Sequence, residues 1–268
     1  MQPFEGSRQR IERAEGHRET LANVWNRFIE NDPYITVVRI DNNGAGRILV
    51  SPAWTMPGDL PLVLGEMLYQ FRAALDGAVY EAATLESSGH PPPNEKSLQF
   101  PICPSIKEFR NAARNIAPLS EKCRAFIEKV QPYNSPELTP DLRVFNFNRS
   151  LGILNDWARK DRHRRLHVIG SIASNATPKI RLPLGARLSS MVIAEPAFLK
   201  NETQIASFQI DGYTPGMNVQ ANPDLCIDIT VDERPLRCAG NDTFANRLMA
   251  ISRAVKVVVA GLEEIVCP

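Results

Sequence analysis

The spacing of apolar residues changes character near His167, and that change constrains the fold more than any other feature of the chain. Before it, apolar residues recur at three- and four-residue steps over long stretches. Ile11, Ala14, Leu21, Val24, Trp25 and Phe28 do so within residues 5–31, and Leu64, Leu68, Phe71, Leu75, Val79 and Ala82 within Leu60–Thr84. That period places them on one face of a helix, with the charges between them. After it, His167–Ala173, Lys179–Ile193, Thr203–Ile210 and Asn218–Val231 are rich in Val, Ile and Thr, with turn residues between. They read as strands of an antiparallel sheet. The helical period then returns. Phe244, Leu248, Ile251, Val255, Val258, Leu262 and Ile265 alternate steps of four and three, the spacing of a coiled-coil-like seam, behind Asn241 or Asp242 as the N-cap.

Local signals fill in the rest. Asp32-Pro33 ends the first helix, because the residue before proline is pushed out of the helical region. Tyr34–Asp41 and Arg47–Ser51 flank Asn42-Asn43-Gly44-Ala45-Gly46 and predict a hairpin. Phe100-Pro101-Ile102 reads as an extended anchor, with shorter helices over Ser105–Ile116 and Leu119–Val130. Gln131–Asn148 holds three prolines and reads as irregular, and Leu151–Leu166 as helical. The expected fold is α+β: a helical body with an early β-hairpin, an antiparallel sheet in the C-terminal half and a long C-terminal helix. Residues 1–268 are expected to form one compact unit, with 1–166 a mainly helical layer and 167–268 the sheet and last helix.

Composition narrows the function classes. At 43% apolar and 23% charged residues the chain reads as a soluble globular protein. Its first thirteen residues are charged and lack the apolar run of a signal peptide. Val257–Leu262 is far too short an apolar run to span a bilayer, so no membrane partner is expected. The five cysteines are widely spaced, without metal-ligand or redox spacing, and read as reduced thiols in a cytoplasmic protein. No cofactor is expected. The chain has no phosphate-binding loop and no nucleophile elbow, and Gly44-x-Gly46 lies in a hairpin turn.

Against a net charge of only +1, Asn155–His167 stands out. From Arg159 to His167 it carries five Lys/Arg and two of the four His, with Asp161 as the single acid. Such a concentration calls for an anionic partner or for internal carboxylates. On a helical wheel Leu151, Leu154, Trp157 and Ala158 form the buried stripe, and Asp161 continues it. A carboxylate facing a core is costly unless paired. Arg72, on the flank of the Leu60–Thr84 helix, is its natural partner, and Asp76 could in turn hold Arg164. His163 and His167 are four apart, as two metal ligands on one helical face would be, but no third ligand follows and the neighbours Arg162, Arg164 and Arg165 disfavour a cation. No metal is expected.

Four ordered segments carry a resemblance. They are Gly65-Glu66-Met67-Leu68-Tyr69-Gln70-Phe71-Arg72-Ala73-Ala74-Leu75-Asp76, Gln99-Phe100-Pro101-Ile102, Val130-Gln131-Pro132-Tyr133 and Asp161-Arg162-His163-Arg164-Arg165-Leu166. Together they resemble a family of uncharacterised bacterial proteins, common in actinobacteria, with L-R-S-A-L-D-H, F-P-I, Q-P-Y and D-K-H-R segments. The resemblance spans roughly residues 20–170 and implies no established activity. Gly77 stands where that family often has His, Arg162 where it often has Lys, and Arg159 where Asn is common. In addition, Arg162, four residues and His167 resemble the Arg-x4–6-His spacing of HEPN-type domains, many of them ribonucleases. That likeness implies Arg162 and His167 as catalytic residues, with His163 assisting, at a dimer interface.

Two functions are therefore expected from the sequence. One is a non-catalytic interaction or scaffold protein built on a structural Arg/Asp network of Arg72, Asp76, Asp161 and Arg164, homodimeric through its period-seven helices. The alternative is a HEPN-like RNA-binding or RNA-cleaving protein. Its partner would be RNA or a phosphorylated ligand, held through Lys160, Arg162 and Arg165.

Overall fold

A computed structural model describes residues 2–135, 147–163, 168–172, 178–195, 197–199, 201–222, 227–231 and 243–267. The architecture is α+β. Among the described residues, six α-helices, α1 (Glu5–Ile29), α2 (Asp59–Ser87), α3 (Ile106–Ala112), α4 (Glu121–Lys129), α5 (Phe147–His163) and α6 (Phe244–Val266), accompany eight strands. These are β1 (Tyr34–Ile40), β2 (Ala45–Pro52), β3 (Val168–Ile172), β4 (Lys179–Arg181), β5 (Arg187–Ile193), β6 (Thr203–Asp211), β7 (Gln220–Asn222) and β8 (Ile227–Val231). Residues 241 and 242, the expected cap of the last helix, lie outside the described residues.

The chain gathers into two compact units, each made of separated segments. One comprises residues 1–22, 61–166 and 245–268, the other 23–60 and 167–244. The units thus follow chain order less simply than a single division at 167, because the last helix joins the first unit and the hairpin joins the second.

The helical unit is built around α2. Leu64, Leu68, Phe71, Leu75, Val79 and Ala82 have no exposed surface, so the expected stripe is its core face. On α1, Ser7 Oγ donates to Ala74 O at 2.9 Å, and Gly77 leaves room beside it, since a Cβ there would stand 3.1 Å from Ser7 Oγ. Helix α6 lies against α1 through Arg8–Glu263 at 2.8 Å, and through Ser252 and Lys256 donating to Glu15 Oε1 at 2.8 and 2.6 Å. Ser105 and Ser120 cap α3 and α4 by accepting from Glu108 N and Cys123 N.

In the second unit every ladder among the described residues is antiparallel. One sheet has the order β1-β2-β6-β5, and β3-β8 and β4-β7 form two further ladders. The hairpin turn is closed by Asp41, whose Oδ1 accepts from Asn43 N and Ala45 N at 2.9 Å, with Gly44 at φ 83°. Gly44 needs that left-handed conformation, which side-chain-bearing residues rarely adopt. Ile48, Val50, Ile205, Ala206, Phe208 and Ile210 form the sheet's core, and Gly46 on β2 leaves space for the Phe208 ring opposite.

Candidate functional site

The helical unit contains an irregular stretch, Phe100–Cys103, whose residues are all buried. Buried backbone outside regular structure must find its hydrogen bonds elsewhere, and here side chains from three directions supply them. Arg72 Nη2 donates to Phe100 O at 3.1 Å, while Phe100 N donates to Asp76 Oδ1 at 3.0 Å. Gln131, with no exposed surface, accepts from Cys103 N at 2.9 Å and donates to Pro101 O and Ile127 O, both at 2.9 Å. Asn155 Nδ2, on α5, donates to Ile102 O at 3.3 Å. We call this stretch the strap. The Arg72/Asp76, Phe100-Pro101-Ile102 and Gln131-Pro132-Tyr133 segments singled out in the sequence all meet on it.

Arg72 and Asp76 stand one turn apart on α2 and form an ion pair, Nη2 to Oδ1, at 3.5 Å. Arg72 keeps only 9% of its surface. Its guanidinium is pulled below its ordinary pKa by burial, with Asp76 opposing and Arg162 adding to the shift. The Asp76 carboxyl is pushed above the usual carboxylate range by burial, opposed by Arg72, the Phe100 N–H and Arg162. Arg72 stays cationic at neutral pH because a guanidinium starts from so high a value. Its Nη1, buried, has no hydrogen-bond partner among the described residues.

Arg72 and Asp76 line a cavity of about 480 Å3. Helix α2 contributes Gly65, Tyr69, Ala73, Gly77 and Tyr80 as well, and Leu98 and Gln99 lead into the strap. Arg10 enters from α1, and Ala158, Asp161 and Arg162 from α5. Asp161 is half-buried, and its carboxylate lies directly over Gly65, where a Cβ would stand 2.5 Å from Oδ2. Any side chain at position 65 would press on that carboxylate. The ion pair of Arg72 runs to Asp76 and not to Asp161 as the wheel suggested. The reason is axial: Gly65, which seats Asp161, is seven residues from Arg72, about 10 Å along the helix.

The remaining candidate residues are distributed as follows. Lys160 Nζ pairs with Asp156 Oδ2 at 2.6 Å within α5, and Arg159 reaches the same carboxylate at 3.6 Å. Part of the basic run is therefore matched by an acid inside its own helix. Arg162 is exposed at the cavity. His163 is the last residue of α5. Arg164, Arg165 and His167 lie outside the described residues. Among the described residues no group of three or more His, Cys, Asp or Glu is placed to hold a metal ion, and no helix is long and apolar enough to cross a membrane.

Sequence reasoning did not mark Arg10, Tyr69, Tyr80, Gln131 and Asn155 as site residues. Gln131 carries the one retrievable signal, a glutamine beside a proline in a segment already singled out. Arg10 and Tyr69 look in sequence like any solvent-facing residue of a helix. Comparison of the chain with models of known protein families, with curated proteins and with solved structures finds no match.

Proposed function

We propose that this chain is a non-catalytic binding protein whose helical unit takes a small phosphorylated ligand in the cavity beside the strap. The observation that carries this reading is the buried Arg72 Nη1, without an acceptor among the described residues, on a side chain that lines the cavity together with Arg10 and Arg162. A buried donor left unsatisfied costs about 1–3 kcal/mol, and an oxyanion would recover that. The other guanidinium nitrogen is already fixed on Phe100 O, so the group is held in place before a ligand arrives. Preorganisation of this kind lowers the ordering cost of binding. The Arg/Asp network in this view has a structural task, closing the strap, and leaves one nitrogen for recognition.

The test is thermal unfolding of the full chain in increasing inorganic phosphate at constant ionic strength. A ligand that binds only the folded state raises the melting temperature with its concentration, by several degrees once well above Kd. Replacing the two exposed arginines together, Arg10→Gln with Arg162→Gln, should remove most of that rise. A melting temperature insensitive to phosphate, or a rise unchanged in the double variant, would overturn the proposal.

A further inference from the structure

We infer that the ligand of this cavity is a single phosphate monoester joined to a planar, hydrogen-bonding body, a nucleoside monophosphate in its simplest form. This rests on the reading that the cavity binds an anion, and it adds what the anion is attached to.

Gly65, Tyr69, Arg72, Asp76 and Tyr80 follow one another at turn spacing along α2, and all line the cavity. Fifteen residues from Gly65 to Tyr80 correspond to roughly 22 Å of helix. Arg72 stands near the middle of that stripe. An inorganic anion held at Arg72 would leave most of the lining without a partner. The cavity volume of about 480 Å3 lies in the range that encloses a small organic molecule.

Tyr69, one turn from Arg72, is 63% exposed although it is a large ring. Tyr80, two turns beyond Arg72, meets His90 edge to face at 6.2 Å between ring centroids. Tyrosine rings offer flat apolar faces with a polar edge, which suits a base stacked on them. The aromatic and basic residues that are scattered in the sequence thus alternate along one wall of the cavity.

The lining carries three arginines, Arg10, Arg72 and Arg162, and two carboxylates, Asp76 and Asp161. That excess of one positive charge favours a single phosphate group over a run of them. A run of phosphates, as in RNA, would bring further negative charge against the two carboxylates.

Isothermal titration of the full chain with adenosine 5′-monophosphate, ribose 5-phosphate, inorganic phosphate, adenosine and a single-stranded RNA octamer tests the inference. The monophosphate should bind about tenfold more tightly than ribose 5-phosphate, the gain expected of one stacked base, and more tightly still than inorganic phosphate. Adenosine without its phosphate should give no measurable heat. Tyr69→Leu, at an exposed position, should close most of the gap between the monophosphate and ribose 5-phosphate, and Tyr80→Leu repeats the measurement from the other end of the stripe. Equal affinity for the monophosphate, ribose 5-phosphate and inorganic phosphate overturns this inference and leaves the anion-binding reading standing. Tighter binding of the RNA octamer than of the monophosphate also overturns it. If none of the phosphorylated probes binds, both readings fall.

Discussion

Replacing Gln131 by alanine should unfold the strap from one side. The native amide makes three hydrogen bonds at 2.9 Å with no exposure to solvent. Two of them, to the Cys103 N–H and the Pro101 carbonyl, satisfy backbone groups in an irregular buried segment. Alanine removes the partner and keeps those groups buried, and each costs about 1–3 kcal/mol when left unsatisfied. The Ile127 carbonyl near the end of α4 loses its bond as well, and the missing side-chain atoms leave a void. Allowing for partial relaxation, the loss is about 3–5 kcal/mol, a large part of the stability of a typical domain. Asn155→Ala supplies the comparison. It removes one longer, part-buried bond to the neighbouring Ile102 carbonyl, and should cost only about 1 kcal/mol. The assay is urea unfolding followed by the fluorescence of Trp157, which is fully buried in the helical unit, in a background where Trp25 and Trp54 are phenylalanine. This probe isolates the helical unit, because the two replaced tryptophans belong to the other one. A loss below about 1 kcal/mol, or one no larger than that of Asn155→Ala, would refute the argument that Gln131 holds the strap.

Gly65→Ala should lower stability despite the roughly 1 kcal/mol that alanine ordinarily gains over glycine within a helix, since the new Cβ would press on the Asp161 carboxylate. In an Asp161→Ala background the same change should become stabilising, and a double-mutant cycle of melting curves measures that reversal. Asp76 supplies a pH signature. Its folded pKa is raised above the unfolded value of about 3.9, so the proton is bound more tightly in the folded state. Its contribution is therefore full below about pH 4 and is lost as pH rises through the folded pKa. The stability difference between wild type and Asp76→Asn, followed by urea unfolding from pH 3 upward, should move against the wild type over that range, and a difference moving the other way contradicts the burial argument. Total bacterial RNA incubated with the pure protein should remain intact on a denaturing gel. Degradation abolished by His167→Ala would replace the binding reading with the HEPN-like one.

How much of this was legible in the sequence differs from element to element. The α2 stripe from Leu64 to Ala82 was read residue by residue and is wholly buried. The hairpin was located from its Asn/Gly turn, and the strands beyond His167 were assigned to antiparallel pairing. These features are local. A repeat of 3.6 or 2 residues and a turn that needs positive φ leave their mark within a few positions of the chain. The partner of the hairpin left no such mark. That β2 lies beside β6 depends on Ile48 and Val50 meeting Ile205, Ala206 and Phe208, and any apolar strand offers a similar face. A wheel points Arg72 toward Asp161, because it gives the angle of a residue about its helix axis and says nothing of its height against a neighbouring helix. The height at which Asp161 meets α2 is set where Gly65 admits it. The sequence likewise supplied Arg72, Asp76, Phe100, Gln131 and Asn155 without their common purpose. Only the tertiary structure brings them to one buried stretch of backbone, because the need they meet, unsatisfied N–H and C=O groups shut away from water, arises only once the chain has folded around it.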